Sequence, residues 1–158
     1  MVGMQPRVDI ITLGVPDLAA ARRFYVDGLG WKPTMEVPGE IIFLLIGHGL
    51  VLGLWHADKL EHDINPDSPA RPSTQPPSMT LAHNVGSEPE VGEVLDIVER
   101  AGGTVLKPAQ RGEVGFWHGF FADPAGLRWE VAHNPSWVIN ADGTVSIGAP
   151  DQPEHAAK

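Results

Sequence analysis

Cysteine is missing from the 158 residues. That excludes disulfides, thiolate metal sites and cysteine nucleophiles, and leaves the redox compartment open. No apolar run approaches the length of a membrane span, and the N-terminus lacks a signal-peptide pattern, so a cytoplasmic protein is expected. Basic residues are scarce: 11 Lys and Arg stand against 20 Asp and Glu, a formal net charge of −9. This balance argues against a nucleic-acid or anionic-membrane partner and would suit a cationic ligand. No glycine-rich phosphate loop, nucleophile elbow or paired-carboxylate arrangement occurs. The hydrophobic fraction of 42% is that of an ordinary globular chain, long enough for one compact domain or two small fused modules.

The most informative stretch runs from Phe121 to Pro135. Asp123-Pro124-Ala125-Gly126 is a turn tetrad, because proline presets φ and glycine accepts the positive φ that closes the turn. Apolar and aromatic residues flank it, which predicts a hairpin of two buried strands. Glu130 falls inside the second strand, between Trp129 and Val131. A carboxylate there is costly unless it is paired or metal-bound.

The chain repeats itself. Val8–Val15 is strand-like. Asp17 is a plausible N-cap for a helix to about Leu29, with Leu18, Ala21, Phe24 and Tyr25 on one face. Strand-like segments follow at Trp31–Val37, Ile41–Ile46 and Leu50–Trp55. The second half has the same order. A strand at Met79–Val85 leads to Ser87-Glu88-Pro89-Glu90, which has the spacing of a capping box. A helix carries Val91, Val94, Leu95 and Val98, and strands are expected at Thr104–Lys107, Gly115–Ala122 and Leu127–Ala132. Two βαβββ modules are predicted, an α+β fold, over residues 7–56 and 79–135. A linker or loop over the cleft is expected at 57–78, a C-terminal hairpin at 136–147, and a disordered tail at 148–158.

The hairpin and the repeat together resemble the vicinal oxygen chelate superfamily, which includes glyoxalase I, fosfomycin-resistance proteins, extradiol dioxygenases and bleomycin-binding proteins. The resemblance implies two βαβββ modules pairing into a curled mixed sheet around a cleft, a homodimer, and a small-molecule ligand. It also implies that the convex face of each sheet packs on its helix while the concave face lines the cleft. Strand alternation then assigns the sides. Ile10, Thr12, Ile41, Phe43, Val51, Gly53 and Trp55 face the cleft from the first module. Thr80, Ala82, Phe116, His118, Phe120, Arg128, Glu130 and Ala132 face it from the second. Trp117, Phe121, Trp129 and Val131 pack toward the helix.

In the superfamily the Glu of the last strand is a metal ligand. Members that use metal place ligands at positions matching Ile10, Gly53, Thr80 and Glu130, and only the last is a good donor here. One carboxylate is not a metal site, and His118 adds only a second donor. No metal or other cofactor is therefore expected, with a divalent metal as the alternative. The catalytic candidates are Glu130 and His118. The ligand-binding candidates are Ile10, Thr12, Phe43, Trp55, Thr80, Phe116, His118, Phe120, Arg128 and Glu130. Three functions fit. The first is metal-independent binding of a small molecule. The second is a metal-dependent lyase, isomerase or dioxygenase of glyoxalase type. The third is a metal-free lyase or isomerase with Glu130 or His118 as general base. His83 falls on the helix-facing side, where a satisfied core histidine is the plainer reading.

Overall fold

The computed structural model describes residues 4, 8–64, 80–112 and 115–147. The first module comprises β1 (Ile10–Val15), α1 (Leu18–Arg22), β2 (Pro33–Val37), β3 (Ile41–Leu45) and β4 (Val51–His56). The second comprises β5 (Thr80–Asn84), α3 (Glu88–Arg100), β6 (Thr104–Arg111), β7 (Trp117–Ala122) and β8 (Arg128–His133). Each forms a four-stranded mixed sheet, ordered β1-β4-β3-β2 and β5-β8-β7-β6. In each sheet the first and last strands of the module are parallel neighbours, β1 with β4 and β5 with β8. A short hairpin follows, β9 (Trp137–Ile139) with β10 (Val145–Ile147). The expected linker opens instead with a helix, α2 (Ala57–Ile64). Residues 65–78 and the expected tail at 148–158 lie outside the described residues.

Local chemistry explains the element ends. Asp17 caps α1 by accepting from the Ala20 N–H at 2.9 Å. The helix then widens into a π-helical segment, Arg23–Gly28, with Leu29 N–H bonded to the Phe24 carbonyl at 2.9 Å. Such a turn re-aims side chains, and here the consecutive Phe24 and Tyr25 are both fully buried. At α3 the capping box takes another form. Ser87 makes no hydrogen bond to the helix backbone; its hydroxyl donates to the Glu90 carboxylate at 2.7 Å.

One core serves both modules. It gathers Leu18, Ala21, Phe24 and Tyr25 with Ile42, Leu44, Leu52 and Leu54 of the first sheet. From the second module it takes Val91, Leu95 and Val98 of α3 and Phe121, Trp129 and Val131 of the second sheet. Strand alternation therefore behaves as the sequence predicts: these sheet residues face the helices, and their neighbours in sequence face away. The modules are tied through this side. Trp129 stacks parallel on Phe121, with centroids 6.1 Å apart, and meets the ring of Trp31 edge-on at 6.0 Å. On the opposite, concave face of the first sheet Ile10 is 51% exposed.

Candidate ligand-binding site

The turn behind the site is built as its residues require. Gly126 has φ of 89°, a conformation that glycine adopts without steric cost. Its N–H donates to the Asp123 carbonyl at 2.9 Å. The Asp123 carboxylate accepts from the N–H groups of Ala125 at 2.9 Å and Leu127 at 2.8 Å. This rigid turn sets β7 against β8 with Phe120 opposite Glu130 and His118 opposite Ala132.

On the concave face of the second sheet the side chains form one connected group. His118 Nδ1 lies 2.8 Å from Glu130 Oε1, and His118 Nε2 lies 3.1 Å from Lys107 Nζ. An ammonium has donors only, so Nε2 accepts from Lys107, and the Nδ1–H then donates to Glu130. In this hydrogen-bond arrangement the imidazole is the neutral tautomer and stands between a cation and an anion. It is also clamped by two rings: Phe116 at 4.8 Å and Phe120 at 5.2 Å between centroids, both near edge-to-face. His118 is buried, and Glu130 and Lys107 are half-buried. Lys107 Nζ also lies 5.8 Å from the centroid of Phe120, within cation–π range.

Lys107 was not among the residues expected from the sequence. Simple alternation puts it on the same side as Val105, which packs on the core. The register between β6 and β7 shifts on both sides of it, however, and Lys107 ends opposite Phe120. The bulge turns the side chain onto the concave face. Gly119 makes the close approach of β6 possible: a Cβ there would lie 2.6 Å from Leu95 Cδ1 and 2.8 Å from the Lys107 carbonyl oxygen. The available signal was Lys107-Pro108, since proline inside a strand marks an edge or a bulge.

The structure therefore brings together Phe116, His118, Phe120 and Glu130, with Lys107 added. Arg128 is half-buried on the same strand face, opposite the exposed Thr80. Ile10, Thr12, Phe43 and Trp55 form a separate set on the corresponding face of the first sheet. There Phe43 lies over Gly53, where a Cβ would come within 3.0 Å of its ring and 3.4 Å of Thr12 Oγ1.

His83 is not a satisfied core histidine. It is exposed, and it lines two cavities, of about 480 and about 180 Å³, that share Trp31 and Trp129 as walls. Partial withdrawal of the ring from water, on a residue that stays exposed overall, pushes its imidazole below the ordinary value. Other histidines hydrogen-bond to carbonyl oxygens: His48 to Asp142, His56 to Gly39 and His133 to Val85.

Two mixed four-stranded sheets with this strand order, each backed by its helix, define the class, and the sequence agrees. The chain belongs to the glyoxalase/bleomycin resistance protein/dioxygenase superfamily, whose family model matches residues 7–131. A glyoxalase-related enzyme from Fulvimarina pelagi is 42% identical, with a TM-score of 0.81 over 92% of this chain and 100% of its own. A lactoylglutathione lyase from Agrobacterium tumefaciens shares the fold at 24% identity, with a TM-score of 0.61 over 82% of this chain and 95% of its own. Among curated proteins, none matches this chain.

Proposed function

We propose that this chain binds a small molecule on the concave face of its second sheet without the metal used elsewhere in its superfamily. One observation carries the reading: both nitrogens of His118 are already engaged, one by Lys107 and the other by Glu130. The metal does not fit the residues present. Three of the four ligand positions hold Ile10, Gly53 and Thr80, and the remaining carboxylate is bonded to an imidazole whose other nitrogen faces an ammonium. Among the described residues no three His, Asp or Glu side chains converge, and divalent ions need several donors. The test is the metal content of protein purified without chelator. Substoichiometric metal is expected; stoichiometric zinc, nickel, iron or manganese that survives dialysis would sink the reading.

A second reading makes the same face catalytic without metal. It is favoured by the His118–Glu130 bond, because a carboxylate on Nδ1–H orients an imidazole whose Nε2 would act as a base once a substrate draws Lys107 away from it. The 42% identical relative described as an enzyme lends it support. Turnover of a bound ligand, lost in His118→Gln, separates this reading from sequestration alone. A metal-dependent lyase, isomerase or dioxygenase would need a third donor that the described residues do not supply.

The working unit in this proposal is a homodimer in the cytoplasm. Exposed apolar side chains at Ile10, Leu45 and Leu106 support an interface. No helix among the described residues is long and apolar enough to cross a membrane. Sedimentation at high micromolar concentration tests the dimer independently of the ligand site.

A further inference from the structure

We propose that the ligand is a small organic anion, a carboxylate carried on an apolar or aromatic body, and that Lys107 binds its charge. This rests on the reading of the second sheet's concave face as the ligand site, and it names the class of ligand that face takes. The overall charge of −9 points the other way, but local charge governs a half-buried site.

Among the described Lys and Arg residues only Arg22, Lys107 and Arg128 are half-buried. Arg22 is matched by Glu36 at 2.8 Å and Asp27 at 2.9 Å. Lys107 and Arg128 belong to the concave face. Among the described residues no carboxylate lies within ion-pair distance of Lys107; its hydrogen-bond partner is the neutral imidazole of His118. That bond uses one of three ammonium N–H groups. A cation withdrawn from water beside an aromatic ring and a neutral acceptor is under-compensated, and an incoming carboxylate supplies the missing charge and acceptors.

Glu130 does not fill this role, because the imidazole stands between it and Lys107 and holds its Oε1. Phe116 and Phe120, on either side of His118, offer the apolar body its seat. The face therefore reads as an imidazole between two rings, with a cation on one of its nitrogens, beside Phe120, and a carboxylate on the other.

The test uses the isotope-labelled full chain and three probes of one shape: phenylacetate, phenylacetamide and 2-phenylethylamine. Amide shifts are followed by NMR at fixed ionic strength and neutral pH. Saturable shifts at Phe116–Phe120 and Lys107 are expected with phenylacetate, with the amide weaker by about tenfold or more, as a charge-assisted hydrogen bond implies. Lys107→Met should abolish phenylacetate binding, and Lys107→Arg should keep it. If Lys107→Met does not fold, the acid-against-amide comparison on the unaltered chain still decides. Phenylacetate binding that survives Lys107→Met, equal binding of acid and amide, or no response to phenylacetate overturns the proposal. Saturable binding of 2-phenylethylamine at this face in preference to the acid overturns it too, while leaving the ligand-site reading intact. Shifts from all three probes confined to the surroundings of Trp31 and His83 would remove both.

Discussion

Tyr25 and Asp123, 98 residues apart in the chain, share a buried hydrogen bond in which the phenol donates to Oδ2 at 2.7 Å. The phenol oxygen also accepts from Trp129 Nε1–H at 3.1 Å. The same carboxylate that organises the β7–β8 turn thus anchors the only tyrosine of the chain, and the two modules meet at a polar point inside an apolar core. Desolvation pushes the Asp123 carboxyl above its ordinary range, with its hydrogen bonds opposing. It pushes the Tyr25 hydroxyl up as well, helped by the neighbouring Asp123 charge.

Tyr25→Phe should therefore destabilise the protein by about 1–3 kcal/mol, the cost of leaving buried polar partners unsatisfied. The ring remains, so the core keeps its packing and the loss is polar. Urea denaturation monitored by tryptophan fluorescence measures it. A midpoint equal to that of the unaltered chain would mean that water replaces the hydroxyl and that the tether contributes little.

Two groups bend the pH profile in opposite directions. The folded pKa of His83 is depressed below its unfolded 6.5, so its contribution is fully present above 6.5 and is lost as pH falls through the folded value. Asp123 is raised above 3.8, so the folded state loses stability as pH climbs from 3.8 toward the folded value. His83→Gln should flatten the profile just below pH 6.5, and Asp123→Asn should flatten it on the acid side. Unfolding free energies measured by denaturant titration across pH 4–8 check both signs (a range chosen to span roughly both transitions). The His83 effect is the smaller, because the ring is partly open to water.

Glu130→Gln and Trp129→Ala test the two faces of one strand. Trp129→Ala should cost about 3–5 kcal/mol through the cavity it leaves, since the indole touches Tyr25, Trp31 and Phe121. Glu130→Gln should leave the fold intact, because its amide can still accept from His118. Thermal denaturation of both variants is the measurement. The reverse ranking would mean the faces are inverted.

Gly119→Ala should destabilise by about 1–3 kcal/mol, the usual cost of overpacking, because its Cβ would press on Leu95 and on the β6 backbone at Lys107. It should also move Lys107 off His118, which imidazole nitrogen NMR detects as a change at Nε2. Unchanged stability with an unchanged Nε2 signal would remove the bulge as the device that positions Lys107.

The sequence by itself determined the elements of the two modules, their order and the face of most strands, but not the helix α2 at the start of the expected linker. Period-2 alternation is local, so Trp129 and Val131 inside and Glu130 outside follow once the strand is recognised. The Asp-Pro-Ala-Gly turn and the Asp17 cap are equally local, each being a hydrogen bond within a few residues. The repeat of that order then pointed to the superfamily and to His118 and Glu130. Tertiary structure alone decided the rest. A register shift between β6 and β7 turned Lys107 over, and such a shift is set by where Gly119 lets the neighbouring strand approach. The Tyr25–Asp123 bond joins groups a module apart, which no window along the chain can register. His83 lost its place as a core histidine because packing between modules leaves open space beside Trp31 and Trp129, and strand parity fixes a side chain's direction but not what fills the space in front of it.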